Sequence, residues 1–264
     1  MRFAKTFVVV AVLGLAGCGT AGKPSQAPAS PSVAQGLASA APTGGTFLNE
    51  KIPKQILNIP LVDADGQSLS LAALTGKLVV ITNFLTSCQE VCPMTTVNMR
   101  DIASRIAETA LKDKVKVVEV TVDAQTDTPM RLAAYQKLFG EKSWTLATGT
   151  IKDLNDFWTY FGAPAAREVK SAKAAATAPV DWQTGKPILV DYVHSDLVLI
   201  VGADSTWRWL DLGSPKTKAG KIPAKLRAFL SQQGTNNLAK PEEPSWSIEA
   251  VFGALTQLTG VKVG

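Results

Sequence analysis

From Ile59 onward the chain alternates apolar runs with turn chemistry. Leu61-Val62 and the segment Gln67 to Leu71 flank Asp63-Ala64-Asp65-Gly66, an Asp-Gly turn that predicts an N-terminal hairpin. Leu78 to Phe84 is a nearly unbroken apolar run, the pattern of a strand buried on both faces. A helix is expected to begin near Pro93, a favoured first helical residue, with Met99, Ile102, Ile106 and Ala110 as its apolar stripe. Val115 to Val122 predicts a second buried strand. Thr128-Pro129 opens another helix with Leu132, Tyr135 and Phe139 on one face, and Trp144 to Thr148 reads as a short strand. Thr150 is placed to cap a helix carrying Leu154, Phe157, Trp158 and Phe161. Leu197 to Val201 and Trp207 to Leu212 flank Gly202-Ala203-Asp204-Ser205 as a second hairpin, and a helix follows around Ile222, Leu226 and Phe229.

Alternating strands and helices that end in an antiparallel hairpin and a helix predict an α/β fold of thioredoxin type, a central mixed sheet flanked by helices. Three stretches fall outside this pattern. Residues 19 to about 46 are rich in Ala, Pro, Ser and Gly with no aromatic before Phe47, the composition of a flexible tether. Ala163 to Lys186 is polar and Ala-rich and reads as a surface insertion. In the tail, Trp246, Val251 or Phe252, Leu255 and Leu258 have rough helical spacing, which favours a helix packed on the domain over one that docks a partner or a membrane.

The first 17 residues carry Arg2 and Lys5 ahead of the apolar run Phe7 to Ala16, as a secretory signal does. That run is about 10 residues, short of the ~20 needed to span a bilayer as a helix. It ends in Leu15-Ala16-Gly17-Cys18, which resembles the bacterial lipobox, and the resemblance implies lipidation of Cys18. The expected organisation is a signal peptide over 1–17 and a lipidated Cys with linker over 18–48. A globular domain over 49–232 and a tail with a short helix over 233–264 complete it. The chain would then sit on the extracytoplasmic face of a bacterial membrane, held by lipid alone.

Discounting Arg2 and Lys5 lowers the net charge from +5 to +3, and no basic run is interleaved with aromatics, so nucleic acid is not an expected partner. Of three cysteines, Cys18 goes to the anchor and leaves Cys88 and Cys92 in the folded part. Two thiols four positions apart do not make a disulfide-stapled scaffold, so the pair points to redox or metal chemistry. Cys88 follows a buried strand and Cys92 directly precedes Pro93, which places both where an α/β sheet binds ligands and where a helix N-terminus favours thiolate. Helical residues four apart hold their Cβ atoms about 5–6 Å apart. A disulfide needs about 3.8 Å, whereas a metal with bonds near ~2.3 Å spans more. The single histidine, His194, lies just before the late strand, whose entry loop faces the loop after the first strand in a thioredoxin-type fold. Two thiolates and an imidazole suit copper in both oxidation states, while a structural zinc site would want a fourth ligand.

Asn83-Phe84-Leu85-Thr86-Ser87-Cys88-Gln89-Glu90-Val91-Cys92-Pro93-Met94-Thr95-Thr96 resembles the copper motif of the Sco/SenC family. Thr121 to Pro129 is similar to that family's second motif, and Asp191-Tyr192-Val193-His194-Ser195 to its histidine motif. Leu85 and Ala124 depart from the usual pattern, and neither removes a ligand. The resemblance runs from about residue 55 to 232. It implies a thioredoxin-like fold and a metallochaperone rather than an enzyme, with Cys88, Cys92 and His194 as ligands of one Cu(I) or Cu(II). It further implies delivery of copper to the dinuclear centre of cytochrome c oxidase subunit II, with an upstream copper donor as a further partner. Asp123 matches an acidic residue near the family's site, either an auxiliary ligand or a group that orients one; on its own it reads equally as a strand-end turn former. Met94 is expected in the core and Glu90 in solvent. The alternative reading is a thiol-disulfide reductase that cycles a Cys88–Cys92 disulfide to keep a target's cysteines reduced, with a peroxidase as a third.

Overall fold

The computed structural model describes residues 39–40, 44–140, 142–217 and 221–263; the expected signal segment, Cys18 and most of the tether lie outside them. The chain opens with β1 (Ser39–Ala40) and β2 (Thr46–Lys51), followed by α1 (Lys54–Leu57). The predicted hairpin is β3 (Leu61–Asp63) paired antiparallel with β4 (Ser68–Leu69), its turn tightened by the Asp63 carboxylate accepting from the backbone of Asp65 and Gln67. Next come β5 (Leu78–Phe84), α2 (Cys92–Ala107) and β6 (Val115–Thr121), then α3 (Pro129–Leu138), β7 (Thr145–Thr148) and α4 (Ile151–Tyr160). Thr128 and Thr150 cap α3 and α4 by accepting from Arg131 N and Asp153 N, satisfying amides that a helix start leaves free.

The second half holds β8 (Ala166–Val169), α5 (Ala172–Ala175), β9 (Val190–Val193), β10 (Leu197–Val201), β11 (Thr206–Leu212) and β12 (Ser214–Pro215). It ends with α6 (Ala224–Phe229), α7 (Gln232–Ala239), β13 (Ser245–Trp246) and α8 (Ile248–Thr259). One sheet has the order β1-β2-β11-β10-β5-β6-β7-β3-β4. β5 runs parallel to β6 and antiparallel to β10, with Thr82 opposite Val198. This is the mixed thioredoxin-like sheet that the pattern predicts. β5 is central, and every residue from Val79 to Phe84 is buried, which is why its sequence shows no polar alternation.

Three details differ from the sequence reading. The α2 stripe stops at Ile106 and Ala110 is exposed, because Thr109 turns its hydroxyl onto the Ile106 carbonyl and ends the helix. β2 begins at Thr46, inside the span expected as linker, and pairs with β11. The 163–186 stretch is not a simple surface insertion: β8 pairs with β9, and Asp181 and Trp182 are buried. In the tail, Val251, Phe252 and Leu255 of α8 are buried and the helix packs on α2.

Candidate metal centre

β5 ends at Phe84, and the loop 85–91 carries the chain from the sheet's edge of strand ends to the first residue of α2, Cys92. Cys92 is buried at 1% exposure, while Cys88 is partly exposed, and both thiols are free. The Cys92 amide donates to the Cys88 sulfur at 3.4 Å, so the first orphan N–H of the helix is spent on that sulfur. The Cys92 thiol, with backbone amides of residues 90 to 92, holds the Cys88 thiol below its ordinary pKa against the opposing effect of burial. Burial pushes the Cys92 thiol well above its usual value, and neighbouring negative charge on Cys88 and Asp196 acts in the same direction. The pair is therefore asymmetric, with Cys88 the readier thiolate.

His194 follows β9 and its side chain is 6% exposed. Asn83, at the end of β5, places its Nδ2 3.1 Å from His194 Nδ1 and donates to the Ser195 carbonyl at 2.7 Å, while its Oδ1 accepts from Leu197 N at 3.3 Å. Asp196 Oδ1 lies 3.7 Å from the same Nδ1. Among the described residues these contacts all use Nδ1, which leaves Nε2 as the nitrogen available to a ligand. Sequence reasoning assigned Asn83 no role, although it stands at the head of the cysteine motif.

A cavity of about 430 Å³ lies between the two arms, with Ser87, Cys88, Glu90, Asp191, His194 and Asp196 in its wall. Cys88 and His194 thus face the same space, and Cys92 lies behind Cys88 at the helix start. Among the described residues, no three His, Cys, Asp or Glu side chains enclose a point where a metal ion would sit. The two arms share a cavity without having closed on a common centre.

Asp123 is buried, and its Oδ1 accepts from Gln125 N at 3.1 Å, Thr126 N at 3.0 Å and the Tyr192 hydroxyl at 3.0 Å. It makes the strand-end turn and ties that turn to the strand that leads to His194. Met94 is buried at 1% exposure and Glu90 is exposed, as expected.

The cysteine loop is gripped from outside the motif as well. Gln89 donates through Nε2 to the Phe229 carbonyl at 2.7 Å, and its own carbonyl accepts from Ser231 N at 3.0 Å. Gly234 in α7 approaches so closely that a Cβ there would stand 2.1 Å from the Gln89 carbonyl oxygen. No local signal in the sequence marks these partners, which are common residue types far along the chain.

The family model described as SCO1/SenC matches residues 57–231. A SCO2-like protein of Rickettsia conorii is 34% identical over 106 residues, 38% of this chain and 49% of that protein. A candidate copper-binding protein of Stutzerimonas stutzeri is 28% identical over 112 residues, 42% of this chain and 53% of that one. The chain spans about half the length of the curated relatives it matches. Among solved structures, a SCO1/SenC family lipoprotein of Bacillus anthracis is similar with 22% identity and a TM-score of 0.49, over 69% of this chain and 96% of the other.

Proposed function

Since the chain belongs to the SCO1/SenC family, we propose that it is a copper metallochaperone that holds one copper ion through Cys88, Cys92 and His194. The observation that carries this reading is the shared cavity: the Cys88 sulfur and the only imidazole of the chain face one space, with the second thiol beside the first. Two soft thiolates suit Cu(I), and the imidazole nitrogen completes a set that also holds Cu(II). His194, on a separate arm anchored by Asn83, gives the site two halves that can part to release the ion by ligand exchange. We assign the dinuclear copper centre of cytochrome c oxidase subunit II as the recipient, on family grounds. The Cys18 lipid anchor and an extracytoplasmic location belong to the same proposal; among the described residues no helix is long and apolar enough to cross a membrane.

Titration of the chain with copper saturates near one ion per molecule. His194→Ala weakens Cu(II) retention against a competing chelator by about 10–100-fold or more while Cu(I) binding is affected less. Unchanged Cu(II) affinity in that variant removes His194 from the ligand set.

The asymmetry of the two thiols favours a second reading, thiol-disulfide reduction. In that reaction the Cys88 thiolate attacks one sulfur of a target disulfide, forming a mixed disulfide and expelling the other target sulfur as a thiolate. Cys92 then loses its proton and attacks the Cys88 sulfur, which releases the target's second thiolate and leaves a Cys88–Cys92 disulfide. His194 takes no part, so retention of full oxidase assembly by His194→Ala cells, with loss in Cys88→Ser cells, selects this reading over the first.

A further inference from the structure

Thr86 stands two residues before Cys88, is 1% exposed, and has every polar atom engaged. Its amide donates to Asp127 Oδ2 at 3.0 Å and its hydroxyl to Asp127 Oδ1 at 2.5 Å. The same hydroxyl oxygen accepts from Arg131 Nε at 2.5 Å, and the carbonyl accepts from Trp182 Nε1 at 2.8 Å. A loop residue held at all its polar atoms fixes the path of the backbone that follows it, here the one that delivers Cys88.

One of these restraints comes from the 163–186 stretch, and a second depends on it. Trp182 supplies one directly. Arg131 supplies the other, and its guanidinium is itself oriented by Asp181, with Nη1 to Oδ1 at 3.1 Å and Nη2 to Oδ2, and by Gln183 Oε1 at 3.2 Å. The guanidinium carbon lies 5.1 Å from the centre of the Trp182 ring, which also packs against Tyr135 with ring centres 5.7 Å apart. Asp181 is fixed in turn by the amides of Gln183 and Thr184 at 3.1 and 2.8 Å. From this anchor the chain runs through β9 directly to His194.

We infer that Asp181 and Trp182 are positioning residues of the cysteine–histidine site. One continuous segment, 181–194, grips the cysteine arm at one end and supplies the imidazole at the other, so it sets the gap between the donors. This deepens the copper reading and rests on it for the metal-bound measurement, although the grip on Thr86 acts on the loop with or without metal.

The test uses the full chain in detergent micelles, as wild type, Trp182→Phe and Asp181→Asn. Trp182→Phe keeps an aromatic ring at the position and deletes the N–H that Thr86 accepts, together with part of the ring volume. One equivalent of Cu(II) is added, and the sulfur-to-copper charge-transfer band, the EPR hyperfine splitting and retention against a chelator are recorded. In parallel, metal-free protein is alkylated with iodoacetamide and the rate at Cys88 is read by mass spectrometry. Both variants are expected to shift the band and splitting, to retain Cu(II) about tenfold less well, and to alkylate at a rate severalfold different from wild type. Leu154→Ala, which loosens the core at a residue buried in α4, controls for destabilisation and is expected to leave both readouts at wild-type values. Spectra and alkylation rates in Trp182→Phe and Asp181→Asn that superimpose on wild type overturn the inference, as does an equal change in Leu154→Ala. A wild-type chain with no thiolate–copper band overturns the copper reading, and the alkylation ratios then decide the positioning role alone.

Discussion

Glu119 sits on β6 with 0% exposure, its two carboxyl oxygens accepting from the Thr96 hydroxyl at 3.0 Å and the Trp144 indole N–H at 2.8 Å. Burial raises its pKa to about 8, only partly opposed by those two donors. A carboxyl whose folded pKa lies above its unfolded value stabilises the fold fully below the unfolded pKa and loses that contribution as pH rises towards 8. Glu119→Gln mimics the protonated form, with its amide oxygen accepting from Trp144 and its NH₂ donating to Thr96. Urea unfolding at pH 5 and pH 8 is expected to show wild type losing stability relative to this variant by on the order of 3 kcal/mol; parallel pH dependences would place the ionised form in the folded state. The sequence makes the rare side chains legible: Cys88, Cys92 and His194 stand out because few residue types do soft-ligand chemistry. Asn83, Thr86 and Glu119 do not, because their roles come from partners that only the fold brings near. Asp123 was legible as a turn former and as a neighbour of the site, but not as the acceptor of the Tyr192 hydroxyl.

At the level of elements, the strands were readable from runs such as Leu78 to Phe84, whose burial on both faces leaves no polar position to misread. The helix starts were readable from Pro93, Thr128 and Thr150, which act through caps and fixed backbone geometry. The 163–186 stretch was not, because its Ala-rich composition masks the two buried residues, Asp181 and Trp182, that dock it. Nor was α7, which carries just two buried positions, Gly234 and Asn237. Its role follows from Gly234, since a methyl group there would overlap the Gln89 carbonyl. Gly234→Ala is expected to push α7 off the cysteine loop and cost about 1–3 kcal/mol. A lowered thermal midpoint with faster proteolysis between Phe229 and Ala239 is the expected signature. An unchanged midpoint would show that the helix does not bear on the loop.

Across the whole molecule, the family match ends at residue 231, yet the core does not. α8 buries Ala250, Val251, Phe252, Ala254 and Leu255, and the Arg105 guanidinium of α2 lies 4.2 Å from the Phe252 ring centre. α2 is the helix whose first residue is Cys92, so the far face of the helix that presents the second thiol is covered by the last helix of the chain. Removing residues 245–264 strips several large apolar side chains from the core, at about 1.5–3 kcal/mol for each one, a sum comparable to the whole stability of a domain. The truncated chain is expected to lose its cooperative thermal transition and to be degraded by protease, measured against the intact chain by calorimetry. A truncated chain that melts as sharply as the intact one would make α8 an appendage.

Asn83 binds the imidazole and, through the same amide group, Ser195 and Leu197 at the entry to β10, while its own strand runs on into the cysteine loop. A slip of one residue between β5 and β10 would turn that amide to the other side of the pleat. Correct strand alignment and the placing of the imidazole beside the cysteine loop are thus checked by a single side chain, and a misaligned folding product would lose the proposed site.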